Sequence, residues 1–172
     1  GRLHEETYEV MDRARSRYGI TIKAYFPDKE KVETLQKDKG FFSFRESVED
    51  RKECCSIRKV ESLNRALSNL DAWITGLRRE QGVTRVDLQK VAVDDDHNSI
   101  IKINPLADWS LSMVEEYIKT NDVPVNALHK KNYPSIGCAP CTRSIETDED
   151  IRSGRWWWEN PEHKECGLHP RS

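Results

Sequence analysis

Side chains at Leu3, Thr7, Val10, Met11, Ala14 and Tyr18 recur three or four positions apart, and Gly19 follows. This spacing predicts a helix over residues 3–18 with a glycine stop. "ITIKAYFP", residues 20–27, is apolar and β-branched and ends in Pro27, which predicts a buried strand. Asp28–Lys39 reads as a charged helix ahead of Gly40, and "FFSFRESVED" as a loop with one short helical turn. From Cys55 onward, Ile57, Val60, Leu63, Leu67 and Leu70 make one helical stripe. "DAWITGL", "LQKVAV" and "SIIKINPL" predict three short strands, the first running into the polar loop "RREQGVTR". Ser112 and Glu115 have capping-box spacing at the head of a helix over "SMVEEYIKTN". Residues 122–145 predict a long loop, and a short helix over Thr147–Ser153 is expected before "RWWWENP".

Helices alternating with strands predict an α/β domain with a mostly parallel sheet flanked by helices. Ligands of such sheets sit at the carboxyl ends of strands. The loop after "DAWITGL" is therefore the geometric choice for an anion site. It offers Gly76 for close backbone approach and Arg78, Arg79 and Arg85 for charge.

Length and charge narrow the classes. The 172 residues suit one domain, and a formal net charge of -2 gives no support to a general nucleic-acid or membrane-surface role. Hydrophobic residues make up 36%, so a cofactor, a partner or further sequence is expected to complete a modest core. No apolar run has the length of a membrane-crossing helix, and no secretory apolar segment stands at the front. The chain opens at Gly1 inside a predicted helix, so any upstream targeting signal falls outside it. Five cysteines, an odd number, argue against a closed disulfide framework and for a cytoplasmic setting.

Four of the five fall in two pairs. "GCAPC" sets Cys138 and Cys141 at a spacing that suits zinc, an iron–sulfur site or a thioredoxin-like dithiol. "ECCS" sets Cys54 beside Cys55 among Arg51, Lys52, Arg58 and Lys59, a positive field that favours thiolates. Together the pairs supply four thiolates, enough for zinc or a cubane 4Fe–4S cluster. Cys166 stands alone in "HKECGLHP".

Five stretches in order, "RKECCSIRKVE", "ITGLRREQ", "IGCAPCTR", "GRWWWE" and "KECGLH", closely resemble the assimilatory adenylyl-sulfate reductases. These are the cluster-bearing branch of the sulfonucleotide reductases. "GRLHEETYEV" fits the same family, and the likeness runs over essentially the whole chain. The resemblance implies an adenine-nucleotide α-hydrolase-like fold of the PP-loop type. Residues 1–155 would be the C-terminal part of the reductase α/β domain with its cluster site, and residues 156–172 a mobile tail. Cys54, Cys55, Cys138 and Cys141 would bind one 4Fe–4S cluster, electrostatic and structural in role. Cys166 would be the nucleophile, attacking the sulfur of adenylyl sulfate (APS), releasing AMP and becoming S-sulfocysteine. A reduced thioredoxin, or a glutaredoxin, would then free sulfite.

The resemblance further implies that Lys59, Arg78, Arg85, Arg152 and Arg155 hold the phosphosulfate, with Arg79 the alternative to Arg78. Arginines suit such planar, two-point contacts to oxygens. Gly167 would serve as a hinge, and His169 would either tune the thiol or only shape the motif. Trp156 to Trp158 would anchor the tail by packing, or wall the site. The family's Ser- and Gly-rich phosphate loop and first strands would lie upstream of Gly1, so weak or no turnover is expected of this polypeptide alone. A homo-oligomer stays open. Three rivals remain. The substrate could be 3′-phosphoadenylyl sulfate (PAPS). The four thiolates could hold zinc or iron–sulfur in a non-enzymatic binding module. Cys138 and Cys141 could form a thioredoxin-like oxidoreductase dithiol.

Overall fold

The computed structural model describes residues 2–82 and 85–160. Helix α1 (Glu5–Tyr18) carries Glu5 and Glu6 in its first turn and ends on Gly19 at φ 62°, a left-handed stop that glycine accepts readily. Helix α2 (Lys29–Lys39) starts where the Asp28 side chain accepts from Lys31 N. Ser47 caps α3 (Val48–Cys55). The chain then continues without leaving helical geometry through a wide π turn, Ser56–Val60, into α4 (Glu61–Leu67). Strands β1 (Ala72–Ile74), β2 (Val91–Asp94) and β3 (Ile100–Ile103) precede α5 (Leu111–Asn121).

The three strands form one sheet in the order β1-β3-β2. β1 runs parallel to β3, with Trp73 opposite Lys102, and β2 runs antiparallel to β3, with Val93 opposite Ile101. The fold is α/β as expected, with a mixed sheet where the pattern predicts mostly parallel strands. The tight link between β2 and β3, with Asn98 and Ser99 both at positive φ, reverses the chain and enforces the antiparallel pair.

Three local expectations are corrected. Residues 20–27 form no strand: among the described residues no strand pairs with them, and Ile20, Ile22 and Phe26 are exposed. An apolar, β-branched run alone does not make a strand when no neighbouring backbone takes up its hydrogen bonds. Thr147–Ser153 forms turns instead of a helix, tied by the Glu149 carboxylate, which accepts from Arg143 and from Glu146 N. The cap of α5 is Ser110, not Ser112; its Oγ accepts from Met113 N.

Among the described residues two clusters of buried side chains stand out. Leu77, Leu88 and Ala107 pack below the end of β1. Phe44, Cys141 and Trp156 form the second, with Cys54, Cys138 and Trp158 against it. The second cluster is half cysteine, so the site grows out of the core itself.

Candidate functional site

The Ser47 Oγ accepts from Asp50 N at 3.0 Å and donates to the Asp50 carboxylate at 2.7 Å, fixing the start of α3. Two turns later the helix delivers Cys54, half-buried, and Cys55, buried. The π turn follows at once and carries Arg58 and Lys59. Such wide turns recur at functional sites because they re-aim side chains without breaking the helix.

The second cysteine pair sits in a single tight turn. Cys141 N donates to the Cys138 carbonyl at 2.9 Å. The Thr142 hydroxyl donates to the same carbonyl at 2.9 Å and accepts from Gly137 N at 3.1 Å. Thr142 then bridges Arg155 across an antiparallel pair, and Trp156 N donates to the Cys141 carbonyl at 3.1 Å. The loop of cysteines and the "GRWWWE" stretch are thereby one unit.

Cys54, Cys55, Cys138 and Cys141 line one cavity, together with Arg2, Arg51, Arg58, Lys59, Arg155 and the Trp156 ring. Burial pushes the Cys141 thiol up to about 12, helped by the neighbouring Cys138, Cys55 and Cys54. Burial likewise raises Cys54, against the pull of Arg58. Unliganded, Cys54 and Cys141 would therefore be neutral near pH 7. Among the described residues the cavity wall carries five cations and no carboxylate, which matches a net-anionic occupant better than neutral thiols. The buried Trp156 indole N–H has no hydrogen-bond partner among the described residues, a donor beside the same space. Among those residues no three His, Cys, Asp or Glu side chains converge on a point that would hold a single metal ion. Four cysteines lining one cavity supply the donor set of an iron–sulfur group.

A second cavity, of about 600 Å³, opens beside the first and shares Lys59, Cys138, Arg155 and Trp156 with it. Lys59, Gly76, Arg78, Arg85, Arg152 and Arg155, all singled out from the sequence, lie on its wall. The volume falls within the range of small-molecule sites. Among the described residues Glu80 is the one carboxylate on the wall, against Lys59 and four arginines, so the cavity suits an anion. The arginines are held rather than loose. Arg85 donates to the Gln81 side-chain oxygen Oε1, and Arg78 donates to Glu80 and to the Trp109 backbone carbonyl, each at 3.3 Å. Arg155 donates to Ser135 Oγ at 3.4 Å and to the Ile136 carbonyl at 3.3 Å. Arg79, the alternative to Arg78, instead pairs with Asp108 and donates to the Leu88 carbonyl.

Trp156 divides the two cavities. Its ring is 1% exposed, and the cationic groups of Arg155, Arg51 and Lys59 lie 4.5, 4.8 and 5.9 Å from its centroid. Trp158 packs on Phe44, and Trp157 is partly exposed. Cys166, Gly167 and His169 lie outside the described residues, as does most of the 156–172 tail.

Sequence reasoning passes over three contributors. A Cβ on Gly137 would come within 2.5 Å of the Arg155 guanidinium carbon, so this glycine makes room for that side chain; its place before Cys138 is the available signal. Gln81 orients Arg85 and also accepts from Arg78 N. Arg51 pairs with Glu159, 108 residues away, a contact that no local pattern announces.

The model of the phosphoadenosine phosphosulfate reductase domain matches residues 1–144. The chain is 54% identical over 98% of its length to the adenosine 5'-phosphosulfate reductase of Burkholderia cepacia and spans 67% of that protein. It is 47% identical over 98% of its length to the adenosine 5'-phosphosulfate reductase of Rhizobium tropici and spans 93% of it. Among solved structures, the phosphoadenylyl-sulfate (PAPS) reductase of Candida auris in its phosphate complex aligns with a TM-score of 0.66 at 30% identity, covering 83% of this chain and 66% of that one.

Proposed function

The chain belongs to the phosphoadenosine phosphosulfate reductase domain family, and we propose that within it the protein is an oxidoreductase that reduces APS to sulfite and AMP. The observation that carries the proposal is the shared wall of the two cavities. A four-cysteine cavity adjoins a basic pocket through Lys59, Cys138, Arg155 and Trp156. Identities of 47% and 54% to APS reductases, against 30% to a PAPS reductase, favour APS.

In this reading Lys59, Arg78, Arg85, Arg152 and Arg155 bind the phosphosulfate, and Gly76 allows close backbone approach. The Cys166 thiolate attacks the sulfuryl sulfur. The bond from sulfur to the bridging phosphate oxygen breaks, and its electron pair leaves on AMP. The cationic wall stabilises that developing charge. A thiolate of a dithiol protein, thioredoxin or glutaredoxin, then attacks Cys166 Sγ and expels sulfite. Its second thiol closes a disulfide, so both electrons come from the dithiol. Cys54, Cys55, Cys138 and Cys141 hold a 4Fe–4S cluster that supplies fixed charge and rigidity beside the substrate. An upstream phosphate loop and further strands are part of the same proposal: among the described residues β1 is paired on one side alone, and Ile74 is exposed.

The test combines metal analysis with trapping. Full-length protein purified without oxygen should hold about four iron and four sulfide per chain. Incubated with APS and no reductant, it should gain one SO3 group on the peptide holding Cys166. Zinc without iron, or label on another residue, overturns the reading. Initial rates that favour PAPS would redirect it to that nucleotide.

A further inference from the structure

Past β1 the chain makes one short 3-10 turn, Arg79–Gln81, whose last two residues stand on the wall of the basic cavity. Two side chains pin this turn to the body of the protein. Arg79 pairs with Asp108 and donates to the Leu88 carbonyl at 2.9 Å. The Glu80 carboxylate accepts from Leu111 N at 2.6 Å, at the head of α5.

Gln81 is half-buried. Its Oε1 accepts from Arg78 N at 3.2 Å and from Arg85 Nη1. A backbone N–H and a guanidinium can only donate. The amide therefore has one orientation, with its oxygen toward both neighbours and its nitrogen turned from them. The Nε2 hydrogens meet no acceptor among the described residues. Donors left over on a half-buried wall, with Arg78 and Arg85 on the same wall, suit an anionic oxygen, which binds them more strongly than a neutral acceptor does. A neutral amide also adds a donor without adding to the repulsion between the two arginines.

We infer that Gln81 is a binding residue of the basic cavity: its Nε2 donates to a phosphate oxygen of the bound anion, while its Oε1 holds Arg85 beside the same group. This rests on the proposed reading of the cavity as the site of the nucleotide's phosphosulfate.

Two measurements on the full-length holoenzyme test it. A crystal structure of the unsubstituted enzyme with AMP should place Gln81 Nε2 about 2.7–3.2 Å from a phosphate oxygen, and a separation beyond about 4 Å overturns the inference. Calorimetry with AMP then compares Gln81→Met and Gln81→Glu. Methionine lacks both the oxygen and the donors. Glutamate keeps an oxygen for Arg78 N and Arg85 but sets a carboxylate against the phosphate. Affinity should fall about tenfold in Gln81→Met and about 100-fold or more in Gln81→Glu. A residue that only orients Arg85 gives the reverse order, with Gln81→Glu near native, and that order overturns the inference. An unsubstituted enzyme that binds no AMP overturns the proposed function instead. Titration with inorganic phosphate then decides on Gln81 by itself: the same order of losses upholds the inference, and equal affinities in all three proteins overturn it.

Discussion

Adding one methyl group to Gly137 tests how firmly the basic pocket is held. In Gly137→Ala the new carbon would meet Arg155 Cζ, Nη2 and Nε at 2.5, 2.6 and 2.7 Å. Ordinary contact needs about 3.5–4.0 Å, so something must move by about 1 Å. The backbone resists, because Gly137 N is held by Thr142 Oγ1, which also holds the Cys138 carbonyl. The Arg155 side chain yields, and its contacts to Ser135 and Ile136 go with it. In the proposed reading Arg155 contacts the nucleotide phosphate, and such a charge-assisted contact is worth about 1.5–3 kcal/mol. The expected loss of AMP affinity is therefore about 10- to 100-fold, measured by calorimetry on the full-length holoenzyme. Iron content and thermal midpoint should stay near native. AMP affinity within twofold of native refutes the reasoning, and so does loss of iron, which would mean that the cysteine loop had moved instead.

Three other outcomes follow from the geometry. Ser47→Ala removes the cap of the helix that carries Cys54 and Cys55 and should cost about 1 kcal/mol in a denaturant titration; an unchanged midpoint would mean that the hydroxyl does not cap. Asp94 is pushed up by burial, but the His97 contact, Lys102 and the Trp73 N–H outweigh this and hold it below the usual carboxylate range. Its stabilisation is complete above that range and lost as pH falls through the depressed value. Asp94→Asn should therefore cost about 1–3 kcal/mol at pH 7 and progressively less toward pH 3, and a gap that stays constant with pH removes the argument. In iron-free protein the Cys141 thiol, pushed up to about 12, should alkylate at pH 8 about 10³-fold more slowly than free cysteine. Labelling at the free-cysteine rate, read by mass spectrometry, would place it in a far more exposed setting.

Periodicity located the elements that make their own case. α1, α2, α5 and the three strands fall within a few residues of their expected spans, because apolar spacing and caps at Gly19 and Asp28 are local properties. It failed at residues 20–27, whose strand-like pattern finds no partner backbone among the described residues. The site divides along the same line. Cysteine spacing and the runs of Lys and Arg are visible in one dimension, and those residues line two adjoining cavities. Gly137 was legible only as a letter before Cys138, since its meaning depends on where the Arg155 side chain lies. Arg51 reads in sequence as part of a positive flank. Only the folded chain reveals it buried against a carboxylate 108 positions away.

Trp156 has a bearing on the order in which the molecule assembles. Its backbone sits at φ 42°, a left-handed conformation that costs a bulky residue about 1–3 kcal/mol. The contacts that offset that cost come from Arg51 and Lys59, whose cations lie over the ring, and from the Cys141 carbonyl, which accepts from Trp156 N. The indole therefore settles after the cysteine-bearing helix and the cysteine loop have met. It acts as a keystone, and its fluorescence should be the last spectroscopic signal to reach its native value during refolding.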